Sequence, residues 1–151
     1  MPNWSAVGLF CDDIRSEASG VDSLIGVMSD NVAVPSVPAM LPKLGIYTRV
    51  NIRIDAEVET ISVKADFFDG THQQSLGTFD AETVAREKEG AARRGSPLIG
   101  FIFRTLLSPM PIQQYGRIRL WAKINDEEFI CGSLNFEPPP GADSSALPPH
   151  S

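Results

Sequence analysis

The sequence has few of the residues that most often carry enzyme chemistry. Histidine occurs twice among 151 residues, as His72 beside a predicted turn and His150 near the end. A catalytic triad or a histidine-based metal site needs several converging groups, which these two positions do not offer. There is no Walker loop, no GxSxG serine motif and no dinucleotide-binding glycine fingerprint. We therefore expect a protein that is not an enzyme and has no catalytic residue, metal or cofactor.

Cysteine is equally scarce, and long apolar runs are missing. Cys11 and Cys131 lack CxxC spacing and a basic neighbour, so we interpret them as small buried hydrophobic residues with free thiols. A disulfide joining the first and last strands is the alternative. Residues Met1–Phe10 lack the basic segment of a secretory signal, and no run approaches the ~18 apolar residues of a membrane span. The expected location is the cytoplasm.

Positive charge is in deficit. Thirteen Lys and Arg residues stand against nineteen Asp and Glu, for a net charge of −6. This balance argues against general nucleic-acid binding and against electrostatic docking on membranes. Asp12 and Asp13, together with Asp22, Asp30 or Asp69, offer a loop-based Ca²⁺ site as the less favoured alternative. Solvated turn carboxylates are the preferred interpretation, and we expect no metal.

Alternating hydrophobicity is what the sequence does contain. Leu44–Ile54 places apolar residues and one threonine on one face over eleven positions, which predicts a half-buried antiparallel strand. Ile61–Phe68 and Gly116–Ile124 repeat the pattern. Twelve prolines and twelve glycines favour short elements separated by turns.

The remaining segments complete a β-rich prediction. Ala6–Ile14 and Val21–Met28 predict a hairpin, Pro35–Pro42 an extended crossover whose Val37, Met40 and Leu41 pack inward, and Asp80–Arg94 a short surface helix capped by Asp80. Leu98–Leu107 is almost continuously apolar, which predicts a central strand covered on both faces. Further strands are predicted at Asn31–Val34, Gln74–Phe79 and Phe129–Phe136.

Together these segments predict an all-β fold. We expect an antiparallel two-sheet β-sandwich of eight or nine strands, immunoglobulin-like or jelly-roll in type, possessing one short surface helix at most. A closed barrel is the second choice. The domain should span residues 1–137, and residues 138–151 have the composition of a proline-rich tail with little apolar surface.

Two stretches resemble a known family. Phe10–Ile14 (FCDDI), Ser23–Val27 (SLIGV) and the proline-rich link resemble the opening of a family of uncharacterised bacterial and phage proteins. Gly116–Ile124 and Phe129–Phe136 resemble the closing hairpin of many bacterial sandwich domains. The resemblance implies a β-rich fold and a bacterial or phage origin, and it carries over no activity and no site residue.

The strongest binding candidate is a surface. Arg117, Arg119 and Trp121 share the outer face of one predicted strand, and Tyr47, Arg49 and Arg53 share that of another. If the two strands are neighbours, these six residues form one basic and aromatic patch, of the kind that anchors protein interfaces. An ordinary solvated face is the competing interpretation.

Two functions follow from that surface. The preferred hypothesis is a non-enzymatic protein-interaction domain that binds another protein or itself. The alternative is a module that binds carbohydrate or another small ligand, since aromatic faces also suit sugars.

Overall fold

The computed structural model of the protein describes residues 2–141, which form eleven strands and one helix. In chain order these are β1 (Trp4–Ser16), β2 (Asp22–Val27), β3 (Asn31–Ala33), β4 (Ala39–Leu41), β5 (Leu44–Arg53), β6 (Ile61–Phe67), β7 (His72–Phe79), α1 (Ala81–Arg93), β8 (Leu98–Leu107), β9 (Met110–Ile112), β10 (Gly116–Ile124) and β11 (Glu127–Glu137). His150 and most of the predicted tail lie outside the described residues.

The strands divide between two main sheets and one small sheet. Sheet A has the order β2–β1–β5–β8, sheet B has the order β3–β11–β10–β6–β7, and β4 pairs with β9. The predicted all-β sandwich is confirmed. Two details of that prediction were wrong: there are eleven strands rather than eight or nine, and β3 pairs with β11 in parallel rather than antiparallel.

The core lies between the facing sides of sheets A and B. The predicted alternation of β5 is confirmed, because Leu44, Ile46, Thr48, Val50 and Ile52 are all buried. Sheet B contributes the opposite side of the core with the buried residues Ile61, Val63, Ala65 and Phe67 of β6 and Ile118, Leu120, Ala122 and Ile124 of β10. Burying each large aliphatic side chain contributes about 1.5–3 kcal/mol, so this layer supplies most of the stabilisation.

The two sheets approach most closely where β1 passes β11. A Cβ atom added at Gly132 would lie 2.7 Å from the backbone oxygen of Gly8, and a Cβ added at Gly8 would collide with the side chain of Leu120. Only glycine lets the two backbones come this close. The pair therefore fixes the spacing of the sandwich on this side.

The β1–β2 hairpin bends over the outer face of sheet A. Arg104 of β8 donates a hydrogen bond from Nε to Asp22 Oδ2 of β2 over 2.6 Å, although β1 and β5 separate these strands within the sheet. Ile14 approaches Gly45 from the same hairpin, where a Cβ would lie 3.0 Å from Ile14 Cγ1. Cys11, beside Gly45, has no exposed surface. The hairpin thus covers one end of that outer face.

The predicted helix forms between β7 and β8. Thr83 donates its backbone N–H to Asp80 Oδ1 over 2.9 Å, which confirms Asp80 as the N-cap. Val84 and Ala91 are buried, and Lys88 donates from Nζ to the carbonyl oxygen of Ala56 over 2.6 Å. The otherwise polar helix is therefore attached to the sandwich by the buried side chains of Val84 and Ala91 and by the hydrogen bond from Lys88.

Two further predictions need correction. Met40 of the proline-rich crossover points outward and is 59% exposed, because Ala39 and Leu41 of the short strand β4 take the inward positions. Leu98–Leu107 is a strand, but β8 lies at the edge of sheet A and buries only one face. Its apolar outer residues are exposed rather than covered.

Candidate binding surfaces

The predicted basic and aromatic residues lie on two different sheets. Arg117, Arg119 and Trp121 lie on β10 in the middle of sheet B, and Tyr47, Arg49 and Arg53 lie on β5 in sheet A. Their side chains occupy the outer faces, so the whole sandwich separates the two groups. The single combined patch therefore does not form, because the sequence pattern specifies a strand's faces but not its neighbours.

The group on β10 is largely balanced by acidic neighbours. Trp121 is half-buried between its cross-strand partners Lys64 and Ile130. Arg119 Nη1 lies 3.4 Å from Asp69 Oδ1, and Lys64 Nζ lies 3.2 Å from Glu128 Oε2 on the same face. Charge on this outer face is thus mixed rather than concentrated, which weakens it as an electrostatic surface.

The group on β5 is held by local contacts. Arg49 donates from Nε to Asn51 Oδ1 over 3.0 Å, and its guanidinium lies across Gly100 of β8, where a Cβ would be 2.8 Å from Nη2. Arg53 pairs with Asp55 over 2.8 Å. Tyr47 lies half-buried between Leu9 and Arg104 in the same row. Arg49 therefore lies across sheet A, and Arg53 is held by its ion pair with Asp55.

Sheet A presents an apolar outer face that the six predicted residues do not describe. Val7, Leu98 and Leu106 are 49%, 48% and 45% exposed. Val7, Arg49 and Ile102 form one row across β1, β5 and β8, which places these side chains on the same face. Exposed apolar residues at a sheet edge are typical of interaction surfaces, and Leu98 and Leu106 lie on the edge strand β8, whereas Val7 lies two strands away from it.

Among residues 2–141, the outer edge of β8 has no paired strand in sheet A, although α1 and β7 also contact β8. β8 has ten residues, pairs with β5 without a register shift, and contains neither proline nor lysine. Proteins usually protect an edge with such residues, with bulges or with short strands. The other edges do so: β3 has three residues, β7 is paired irregularly near Lys64, and Gly26 with a φ of 67° interrupts the six-residue β2.

A cleft of about 540 Å³ opens beside the C-terminal end of β8, at Leu107. Its lining includes Gln74 of β7, Leu107 of β8, Phe67, Phe68 and residues of the segment 109–114. At the opposite end of these strands Phe79 closes the gap, with its ring centroid 5.1 Å from those of Phe101 and Phe103. No Asp, Glu, Lys or Arg is among the residues that line the cleft. Sequence reasoning missed it, because strands distant in the chain form it.

The candidate chemical groups lie apart from one another. His72 is exposed, with its ring 5.7 Å from that of Phe67. Cys11 and Cys131 are both free, which confirms the predicted thiols over the disulfide. Burial raises the pKa of Cys131 to about 11 and also raises the pKa of Cys11, so both thiols are protonated at neutral pH.

The carboxylates singled out as calcium ligands are dispersed. Asp13 Oδ2 lies 3.5 Å from Lys43 Nζ, while Asp22 and Asp69 contact arginines of β8 and β10. Within residues 2–141, no group of three or more His, Cys, Asp or Glu side chains is arranged to hold a metal ion. In the same range, no helix has the length and apolar character needed to cross a membrane.

Comparison with known proteins places this fold in a family. No curated protein matches the chain. One family model, described as a family of unknown function (DUF6941), matches residues 6–136. The matched segment begins in β1 and ends in β11, so it includes every strand of both sheets at least in part. The chain therefore belongs to the DUF6941 family of unknown function.

Proposed function

We propose that this chain is a non-enzymatic protein-interaction domain that adds an extended segment of its partner to the free edge of β8. The observation that supports it is a ten-residue edge without a paired strand in the described part of the chain, beside exposed apolar side chains. An extended segment gains affinity from backbone hydrogen bonds and specificity from alternate side chains. The proposed setting is the cytoplasm of a bacterial or phage-infected cell, where cysteine thiols stay reduced.

The edge offers backbone groups in a defined pattern. Ile54 donates its N–H to the carbonyl oxygen of Pro97 over 3.0 Å, which fixes the phase of the β5–β8 ladder. In an antiparallel ladder the bonded residues alternate. The N–H and C=O groups of Ile99, Phe101 and Phe103 therefore face β5, and those of Gly100, Ile102, Arg104 and Leu106 face away from it.

The test uses two lysine variants in one row of sheet A. Ile102→Lys places a charge at the edge, whereas Val7→Lys places the same charge on the same face away from it. Proteins captured from the native host should be lost with Ile102→Lys and retained with Val7→Lys. In the captured complex, the amides of Ile102, Arg104 and Leu106 should exchange more slowly.

Two results would contradict this proposal. One is a partner that both lysine variants retain and that Trp121→Ala loses, which would move the interaction to the outer face of sheet B. The other is a complex in which the amides of β8 exchange as fast as in the free chain. Either result would remove strand addition at β8 as the mode of binding.

A second candidate function rests on the cleft. Its volume is within the range of small-molecule sites, ~300–1,000 Å³, and its uncharged lining suits a neutral apolar ligand. The fluorescent probe N-phenyl-1-naphthylamine should brighten on binding there. Gln74→Trp, which fills the cleft, should weaken binding about tenfold, whereas Gln73→Trp on the opposite face of β7 should not. Equal binding by both variants would exclude the cleft.

A further inference from the structure

We infer that the strand added to β8 is β8 of a second copy of this chain, paired antiparallel about a two-fold axis at Ile102. This inference rests on the proposed function and names the partner of the same edge. Joining the two edges would make one continuous sheet of eight strands from two four-stranded sheets A. A two-fold pairing uses the same groups twice, so each copy satisfies the other.

The phase of the ladder restricts the register. Outward-facing groups belong to Gly100, Ile102, Arg104 and Leu106, so hydrogen-bonded pairs must join even-numbered residues of both copies. Within residues 2–141, none of these groups takes part in a backbone hydrogen bond to a turn or loop. A two-fold axis at Ile102 pairs Ile102 with itself and Gly100 with Arg104, while Leu98 faces Leu106.

Side chains select this register among the others. An axis at Arg104 would place two guanidinium groups opposite each other, which is unfavourable. An axis between Ile102 and Arg104 would leave both exposed leucines without an apolar partner. The axis at Ile102 covers Leu98 and Leu106, which are 48% and 45% exposed. It also places Arg104 opposite Gly100, which has no side chain.

The charge of the edge favours a second copy over a charged segment. Arg104 is the only charged residue of β8, and it already pairs with Asp22 of its own chain over 2.6 Å. A neutral, apolar edge is complementary to another neutral, apolar edge. Phe79 of β7 contacts β8 through the inward rings of Phe101 and Phe103, and Val84 and Ala91 of α1 belong to the same core cluster as those rings. These side-chain contacts lie on the inner face of β8.

Sedimentation equilibrium of the purified full chain tests the pairing. We expect a reversible dimer whose dissociation constant rises at least tenfold with Ile102→Lys, because two ammonium groups would meet at the axis. Val7→Lys should leave the constant unchanged. A second measurement uses the wild-type chain alone. Hydrogen exchange at the amides of Ile102 and Arg104 should become slower as the protein concentration rises.

Cysteine cross-linking tests the register. In a Cys131→Ala background, with Cys11 fully buried, Ile102→Cys should form a disulfide-linked dimer because paired Cα atoms would be about 5.5 Å apart. Leu106→Cys should not, because its two copies would lie about 26 Å apart along the strand. Cross-linking through residue 106, or none through residue 102, would overturn the register.

The outcomes separate this inference from the proposed function. A chain that stays monomeric to about 1 mM, or a dimer that Ile102→Lys leaves intact, overturns self-pairing. In either case the capture experiment still decides whether β8 receives a strand from a different protein. A dimer lost only with Ile102→Lys supports both.

Discussion

Thr48 is the only buried residue with a polar side chain among residues 2–141, and its hydroxyl has no hydrogen-bond partner in that part of the chain. It lies on the inner face of β5, where a Cβ at Gly8 would be 3.5 Å from Oγ1. An unsatisfied buried hydroxyl destabilises a fold by about 1–3 kcal/mol. The sequence pattern assigned Thr48 to the core face correctly but could not show that its hydroxyl lacks a partner.

Replacing this hydroxyl should therefore stabilise the protein. We expect Thr48→Val to raise the free energy of unfolding by about 1–2 kcal/mol in urea titration, because the methyl group needs no hydrogen bond. Thr105→Val, at a half-buried position of β8 that water reaches, should change it by less than about 0.5 kcal/mol. A loss of stability with Thr48→Val would indicate a bound water that satisfies the hydroxyl.

At the scale of elements, α1 begins at a charged N-cap, Asp80, and buries only Val84 and Ala91. Hydrogen bonds from the backbone and side chain of Thr83 hold the pKa of Asp80 below its usual value. A carboxylate whose pKa is lowered in the folded state adds stability above its unfolded pKa, and that stability is lost as the pH falls through the folded pKa. The stability from this group should therefore fade only in acid.

Two substitutions separate the cap from its charge. Asp80→Ala should lower the midpoint of thermal unfolding at neutral pH, and the difference from wild type should shrink below about pH 4. Asp80→Asn should retain most of the midpoint, because asparagine also caps helices, but without that pH dependence. Equal midpoints for Asp80→Ala and wild type at pH 7 would show that packing of Val84 and Ala91 alone holds the helix.

Elements were predictable wherever one face is polar and the other apolar. Leu44–Ile54 and Gly116–Ile124 alternate, and both became strands with the expected buried faces. The strand Leu98–Leu107 was predicted correctly, but its placement as a central strand covered on both faces was wrong, because its outer face is also apolar at Leu98, Ile102 and Leu106. A buried central strand and an apolar edge strand have the same composition, so only the sheet order distinguishes them.

On the scale of the whole molecule, the close passage of β1 and β11 is a sensitive point. Gly132→Ala would bring a methyl group against the backbone oxygen of Gly8, which cannot move as a side chain can. We expect a loss of about 1–3 kcal/mol in the free energy of unfolding.

Gly90→Ala is the matched comparison. Apart from the backbone of the helix itself, the atom nearest to the added Cβ is Nη1 of Arg94 at 3.2 Å, the end of a flexible side chain. Because glycine destabilises a helix interior relative to alanine, Gly90→Ala should stabilise α1 by about 0.5–1 kcal/mol. Unfolding by denaturant measures both variants. A neutral Gly132→Ala would show that the sheets can separate without cost.

The proline-rich tail is also a whole-molecule question. β11 ends at Glu137, and the backbone N–H of Val34 still bonds to the carbonyl oxygen of Glu137 over 2.8 Å. Residues 138–151 contain five prolines and one leucine, so they carry little apolar surface. Removing them should lower the thermal midpoint by less than ~4 °C. A larger fall would make the tail part of the fold.

The candidate surfaces were less predictable than the fold because they depend on which strands become neighbours. Trp121 and Tyr47 were each assigned correctly to an outward strand face, yet the sheet order places them on opposite sides of the molecule. Contacts such as Arg104 with Asp22 join residues 82 positions apart, and no local pattern encodes them. The cleft and the free edge of β8 likewise arise only when distant strands assemble.

The order of strands within the two sheets has a consequence for synthesis on the ribosome. All four strands of sheet A lie within the first 107 residues, whereas the middle of sheet B needs β10 and β11, which end at residues 124 and 137. Sheet B also pairs Asn31 of β3 with Asn135 of β11, so β3 can join the sheet only after β11 has been synthesised. During synthesis all four strands of sheet A are therefore made before β10 and β11, so the inner face of sheet A first lacks the middle strands of sheet B. The two sheets can therefore form the complete sandwich only after β11 has left the ribosome.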